Sequence, residues 1–376
     1  MKKLILVVVM ILLTGALIFN GCAEPAPAPA PAPTPAPTPA PPEKIELTFA
    51  TYFPPVSGQA GVWEEYCGEI EKRTNGRVKI TYYPGGSLLA SPDIAEGVKA
   101  GIADIGYMGI GHTPGRFPVL EAICVYSGFP SAFVANHVND DFYKEFKPKE
   151  LDAYYVIGVS GNAPFNIWSS KPIYNLEDMK GIKIRAPGRD ADRANALGAT
   201  PVMVPSAEMF DALSKGVIDA LFGPFEMAKT FRLAEVCNYV VVSWQIAPVA
   251  NWITGMNVNT YNNLPADIQT VFDQVSAEYV DKVGQMWNDI EWVGVQYAEE
   301  MGVEFIYLTP EEVSRWGGLV KPAMAKEYFD IMTELGFSQE EVQGWFDYMD
   351  ERADYWLNKQ IELGIKSPSG PDEIRP

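Results

Sequence analysis

The stretch Lys180-Gly181-Ile182-Lys183-Ile184-Arg185-Ala186-Pro187-Gly188 could hold an anion. Ile182 and Ile184 alternate with Lys183 and Arg185 at period two, which predicts a short strand with one apolar and one basic face. Pro187 and Gly188 end it, so Arg185 stands at the carboxyl end of a strand, where open α/β sheets place their ligands. A guanidinium in that place offers two parallel N–H donors to a carboxylate and fixes its orientation as well as its charge. The competing reading is a surface ion pair between Arg185 and a neighbouring Asp or Glu.

Other chemistries are poorly supplied. His112 and His137 are the only histidines, so no HExxH motif or Cys/His cluster exists, and neither a metal nor a cofactor is expected. Gly158-Val159-Ser160-Gly161 lacks the Gly-x-Ser-x-Gly spacing of a nucleophile elbow, and no phosphate-cradling loop is present. A secreted hydrolase or lyase therefore stands behind a binding protein, and no enzyme is expected. Cys67, Cys124 and Cys237 are far apart and odd in number, which excludes a disulfide framework.

The elements that must position Arg185 alternate between strand and helix. Ile45 to Ala50 reads as a strand, Gly61 to Thr74 as an amphipathic helix, Arg77 to Tyr83 as a second strand, and Ser91-Pro92 as the capped start of the next helix. This β-α-β-α order predicts an α/β lobe with a largely parallel sheet. Val98-Lys99-Ala100-Gly101-Ile102-Ala103-Asp104-Ile105-Gly106 is echoed by Leu213-Ser214-Lys215-Gly216-Val217-Ile218-Asp219-Ala220-Leu221, a helix end, a glycine and an Asp entering a strand. Two copies of one corner suggest two similar lobes, chance similarity at an αβ junction being the alternative. After Pro265, apolar residues recur at spacings of one, three or four up to Gly302, a helix of about 36 residues and roughly 54 Å. It would run along both lobes, unless it serves as a coiled-coil dimer helix. The polar Pro/Gly-rich segment after Ser367 reads as frayed.

The N-terminus addresses the protein to the outside. Lys2 and Lys3 precede an apolar run from Leu4 to Phe19, short for a bilayer span and ending in Gly21-Cys22, the pattern of a secretory leader over residues 1–22. Gly21-Cys22 resembles the lipobox of bacterial lipoproteins, with Phe19 where leucine is usual, which makes Cys22 the candidate lipidated residue; an uncleaved membrane anchor is the alternative. Residues 23–43 are nearly all Pro, Ala and Thr, a polyproline II tether of roughly 60 Å that lifts the body off a membrane. The chain carries 48 acidic against 29 basic residues, and loss of Lys2 and Lys3 with the leader makes its net charge of −19 still more negative. That charge disfavours nucleic acid as a partner.

Asn175 through Pro187, Leu197-Gly198-Ala199-Thr200-Pro201-Val202, Glu208 through Leu213, Gly216 through Ala220, Met256-Asn257 and Leu264-Pro265 carry, in this order, a resemblance to the substrate-binding proteins of tripartite ATP-independent periplasmic (TRAP) transporters, the DctP-type family. The resemblance covers Glu46 to about Gly364 and implies a two-lobed, periplasmic-binding-protein-like α/β fold of type II-like form, with hinge strands and a long helix shared by both lobes. The implied division is 44–163 for the first part of lobe I and 164–252 for the first part of lobe II. Residues 253–290 would return to lobe I and enter the long helix, and 291–376 would complete lobe II with the C-terminal helices. It further implies closure around a small organic acid, delivery to TRAP membrane permease subunits, and residence in the periplasm or on the outer face of the cytoplasmic membrane. A subunit that presents its closed form to a sensing receptor would read the same.

Arg185 falls on the arginine that grips the substrate carboxylate in that family. Supporting contacts are expected from Trp168, Tyr52, Tyr107, Trp244 and Trp252, each with core packing as its alternative. Sialic-acid members carry a second arginine where Phe165 stands, and Glu-Asn where this chain has Phe222-Gly223 before Pro224. An unpaired buried hydroxyl costs about 1–3 kcal/mol, so the expected ligand is a monocarboxylate with an apolar or aromatic body. Glu226 could accept from a ligand hydroxyl or amine, or be a solvated residue at a helix start. Replacing Cys22 by Ser should move the protein from the membrane to the soluble exported fraction in a fractionation immunoblot; retention on the membrane would assign the anchor elsewhere.

Overall fold

The computed structural model describes residues 44–187, 189–205 and 208–375. The leader, the tether and Cys22 lie outside the described residues. The first sheet takes β1 (Ile45–Ala50), β2 (Val78–Tyr83), β3 (Ile105–Gly109), β4 (Tyr154–Gly161) and β10 (Asn251–Asn257). The second takes β5 (Asn166–Ser169), β6 (Lys183–Arg185), β7 (Thr200–Val202), β8 (Ala220–Gly223), β9 (Tyr239–Val242) and β11 (Glu304–Tyr307). The helices α1 (Gly58–Arg73), α2 (Ile94–Lys99), α3 (Glu121–Val125), α4 (Ala132–Phe146), α5 (Asp190–Ala196), α6 (Met209–Ser214), α7 (Met227–Thr230) and α8 (Val258–Asn262) lie between them. They are followed by α9 (Ala266–Glu300), α10 (Pro310–Glu334) and α11 (Gln339–Glu362).

The strand orders are β2-β1-β3-β10-β4 and β11-β9-β5-β8-β6-β7. Read from the other side, the second is the first repeated, with β11 added at its edge. Each sheet is mixed rather than parallel, because the chain enters each lobe a second time from the other: β10 runs antiparallel to β3 and β4, and β5 antiparallel to β8 and β9. The repeated corner has one atomic cause. Gly101 at φ 76° and Gly216 at φ 67° adopt the left-handed backbone that stops α2 and α6. Three residues on, Asp104 Oδ2 accepts from the Thr48 amide at 2.8 Å in β1, and Asp219 Oδ2 from the Lys183 amide at 2.9 Å in β6. Each carboxylate ties an entering strand to its parallel neighbour. Ser91 does not cap a helix: it lies inside a 3-10 turn and its hydroxyl meets His112 Nδ1 at 2.5 Å.

The chain crosses between the sheets at 162–165 and at 243–250, and the crossings are bonded to each other. Asn162 Oδ1 accepts from the Ala250 amide at 2.8 Å, and the Phe165 amide donates to Pro248 O at 3.1 Å. Helix α9 has 35 residues. Phe272, Val275, Tyr279, Val283 and Trp287 sit in the core against the first sheet, while Val295 and Ala298 sit in the core of the second. At its second half the buried Glu291 accepts from the amides of Phe225 at 2.9 Å and Glu226 at 3.0 Å. The segment after Ser367 is not frayed. Ser369 and Ile374 are buried, the Ser367 amide donates to Ile374 O at 2.8 Å, and the Arg375 guanidinium lies 4.5 Å from the Tyr307 ring centre.

Burial pushes the Glu291 carboxyl up to about 8 against the pull of the two amides, with the Glu226 charge adding to the rise. The folded chain therefore holds a proton that the unfolded chain releases near the ordinary glutamate value of 4.5. Stability from this group is full below that value and is lost as pH rises toward about 8. Urea unfolding from pH 5 to 8 should show that decline, and Glu291→Gln should flatten it; an unchanged slope in the variant would assign the decline to other groups.

Candidate carboxylate-binding site

Ile184 is fully buried between β7 and β8, so the next residue must point to the opposite face. Arg185, opposite Val202 on one side and Leu221 on the other, is half-buried at the strand end. Its Nε donates to Val204 O at 2.9 Å, which fixes the plane of the guanidinium. Burial draws its pKa below the usual arginine value, and the Asp190 charge opposes that fall. Asp190 opens α5, and its carboxyl is raised by desolvation against the charges of Arg193 and Arg185. Arg193 is fully buried: Nη1 donates to Ile246 O at 2.6 Å and Ser127 Oγ at 3.2 Å, and Nε lies 3.6 Å from Asp190 Oδ1. Alternating charge thus runs from Arg185 through Asp190 and Arg193 to the second crossing.

The first lobe carries a group of rings at the end of β1. Tyr52 follows β1, stacks on Phe53 at 4.6 Å and meets His112 edge-on at 5.1 Å. Its hydroxyl accepts from Trp252 Nε1 at 2.7 Å, so its own proton is kept for another partner. Tyr107 and Trp252 stack on each other at 5.6 Å, and Trp252 on Trp287 at 5.2 Å. Tyr107 and Trp252 are buried and serve the core behind Tyr52, each such pair being worth about 0.5–1.5 kcal/mol beyond its burial.

The residues named from the sequence therefore divide. Phe222 shares one extensive apolar cluster with Ile184, on the face of the sheet opposite to Arg185, and Tyr52 and Phe165 pack against that cluster. Trp168 lies in a different cluster, on the other face of β5, and is fully buried. Its indole N–H donates to Gly223 O at 3.2 Å and Pro224 O at 3.3 Å, so it holds the loop after β8 instead of a guest. A side chain on Gly223 would place its first carbon 2.6 Å from Met227 Sδ, so the Met227 side chain would have to shift to admit one. Trp244 lines two cavities of about 310 and 460 Å³ walled by the C-terminal segment and by α11, and Arg185 lines neither. Glu226 is not a solvated residue: it is half-buried at the start of α7, and desolvation raises its carboxyl despite the Thr230 hydroxyl. Asp190, Arg193 and His112 escaped the sequence reading, since a buried arginine and an exposed one have the same helical spacing. Among the described residues, no group of three or more His, Cys, Asp or Glu could hold a metal, and no helix is long and apolar enough to cross a membrane.

Comparison with known proteins agrees with this architecture. Residues 49–330 match the family model of the bacterial extracellular solute-binding proteins, family 7, DctP. The monocarboxylate 2-oxoacid-binding periplasmic protein of Nostoc sp. is 27% identical over 225 residues, 57% of this chain and 60% of that relative's length. The C4-dicarboxylate-binding periplasmic protein DctP of Rhodobacter capsulatus is 25% identical over 67% of this chain and 77% of its own. Among solved structures, a TRAP periplasmic solute-binding protein from Desulfovibrio salexigens superimposes with a TM-score of 0.79 at 28% identity, over 84% of this chain and 98% of its own. A TRAP solute-binding protein from Rhodoferax ferrireducens, in complex with copurified benzoate, gives 0.74 at 22% identity over 84% and 99%. The two-lobed periplasmic-binding-protein fold and the family match together make this chain a member of the DctP family of TRAP solute-binding proteins.

Proposed function

We propose that this protein captures a monocarboxylate with an apolar or aromatic body, grips its carboxylate with Arg185, and delivers it without chemical change to a TRAP membrane permease. The observation that carries this reading is the half-buried guanidinium at the carboxyl end of β6, its plane fixed by the hydrogen bond from Nε to Val204 O. A carboxylate matches the planar donor geometry of a guanidinium in a bidentate pair, and aromatic side chains suit the rest of the molecule. The aromatic acid of the Rhodoferax relative and the 2-oxoacid monocarboxylates of the Nostoc relative belong to the same chemical class. Dicarboxylate relatives would need a second cation, and Phe165 offers none.

The lobes are proposed to divide as 44–163 with 253–290 and 164–252 with 291–376, closing about the crossings. Cys22 is proposed to carry the lipid that keeps the protein at the outer face of the membrane.

Arg185→Ala should weaken carboxylate binding by at least about 100-fold, since losing one partner of a buried charge pair costs about 3–5 kcal/mol. Isothermal calorimetry reads the loss and far-ultraviolet circular dichroism checks that the fold persists; an unchanged affinity would remove Arg185 from the site. Phe165→Arg should shift a thermal-shift screen of small acids toward diacids or sugar acids, and an unaltered ranking would place residue 165 away from the ligand.

A further inference from the structure

The loop after β8 is held in an unusual way. Leu221 pairs with Arg185, and the strand ends two residues later, so the backbone groups that follow lose their ladder partners beside the carboxylate site. Four backbone groups, one on each of four consecutive residues, are then satisfied by two buried side chains from different elements. The carbonyls of Gly223 and Pro224 both accept from Trp168 Nε1, at 3.2 and 3.3 Å. The amides of Phe225 and Glu226 donate to the two oxygens of Glu291, at 2.9 and 3.0 Å. Both side chains are almost wholly buried, Trp168 at 0% and Glu291 at 1% exposure, so water cannot replace them. Three residues along α9, a side chain on Gly294 would fall 2.1 Å from Phe225 O, so the long helix lies directly on the loop.

We propose that Glu291 and Trp168 are positioning residues that clamp the Gly223–Glu226 backbone to α9 and thereby set the wall of the carboxylate site next to Arg185. The inference rests on the reading of that strand end as the ligand site. Neither side chain is expected to touch the ligand. Because Glu291 lies on the helix that serves both lobes, the wall and the helix move as one body when the lobes close, and a ligand that presses on the loop presses on α9.

The test separates the clamp from the site. Amide exchange at Phe225 and Glu226 is measured by NMR in the ligand-free protein for wild type, Glu291→Gln, Trp168→Phe and Arg185→Ala, with benzoate titrated into each. Glu291→Gln sets an NH2 group against one amide, and Trp168→Phe removes the donor shared by the two carbonyls. Either should speed exchange at 225 and 226 at least tenfold, leave β1 and β2 protected, and weaken benzoate about tenfold. Arg185→Ala should abolish benzoate binding with exchange at the loop unchanged. Unaltered exchange in both clamp variants overturns the clamp. Faster exchange with unaltered affinity, while Arg185→Ala still abolishes binding, overturns its role in positioning the wall. Should the wild type bind no benzoate, the ligand class fails, and the exchange data still decide the clamp. If Glu291→Gln does not fold, Trp168→Phe decides alone.

Discussion

A guanidinium can hold one particular anion only if it is stripped of much of its water yet kept charged and aimed. Arg185 meets these conditions through three different parts of the chain. The alternation Ile184-Arg185 buries one residue and turns the next to the opposite face. Val204 O accepts a hydrogen bond from Nε and sets the plane, and Asp190 opposes the loss of charge that burial favours. Remove any of these and the arginine becomes either a surface cation or a buried liability.

The repeated half-fold explains how such an arginine is delivered. In both sheets an Asp at the foot of an entering strand binds the amide of its parallel neighbour, so β1 and β6 emerge at equivalent places. By the shared register Ala50 is the counterpart of Arg185, one a core residue and the other a half-buried cation. The two halves thus keep the same backbone and differ in the side chains at their strand ends. The first contributes Tyr52 backed by a stack of rings, and the second contributes charge.

The chain passes between the two sheets at two crossings and along α9. The crossings at 162–165 and 243–250 are hydrogen-bonded to each other, and Arg193 joins the second of them to Asp190 and Ser127. Helix α9 buries one stretch in each core, so it must bend or tilt if the lobes turn. A ligand that bridges Arg185 and the rings of the first lobe favours the closed arrangement only by the contacts it makes there and nowhere else.

Much of this was legible in the residues themselves. The strand ending at Arg185, the doubled Gly-x-x-Asp corner and the long helix after Pro265 are local patterns, because strand alternation, left-handed glycine and helical spacing act over a few residues. Which rings face a ligand was not legible: Trp168 and Phe165 are three residues apart, yet β5 turns the first into a core and a hydrogen-bonded brace. The fate of Glu226 and the tail after Ser367 also depended on partners far along the chain, Glu291 for one and the Tyr307 ring for the other. The sequence alone determined the elements and the charge at the strand end, since these follow from neighbours in the chain. Only the tertiary structure decided burial, and with it which side chains brace the site and which can meet a guest, because desolvation is set by everything that packs around a group.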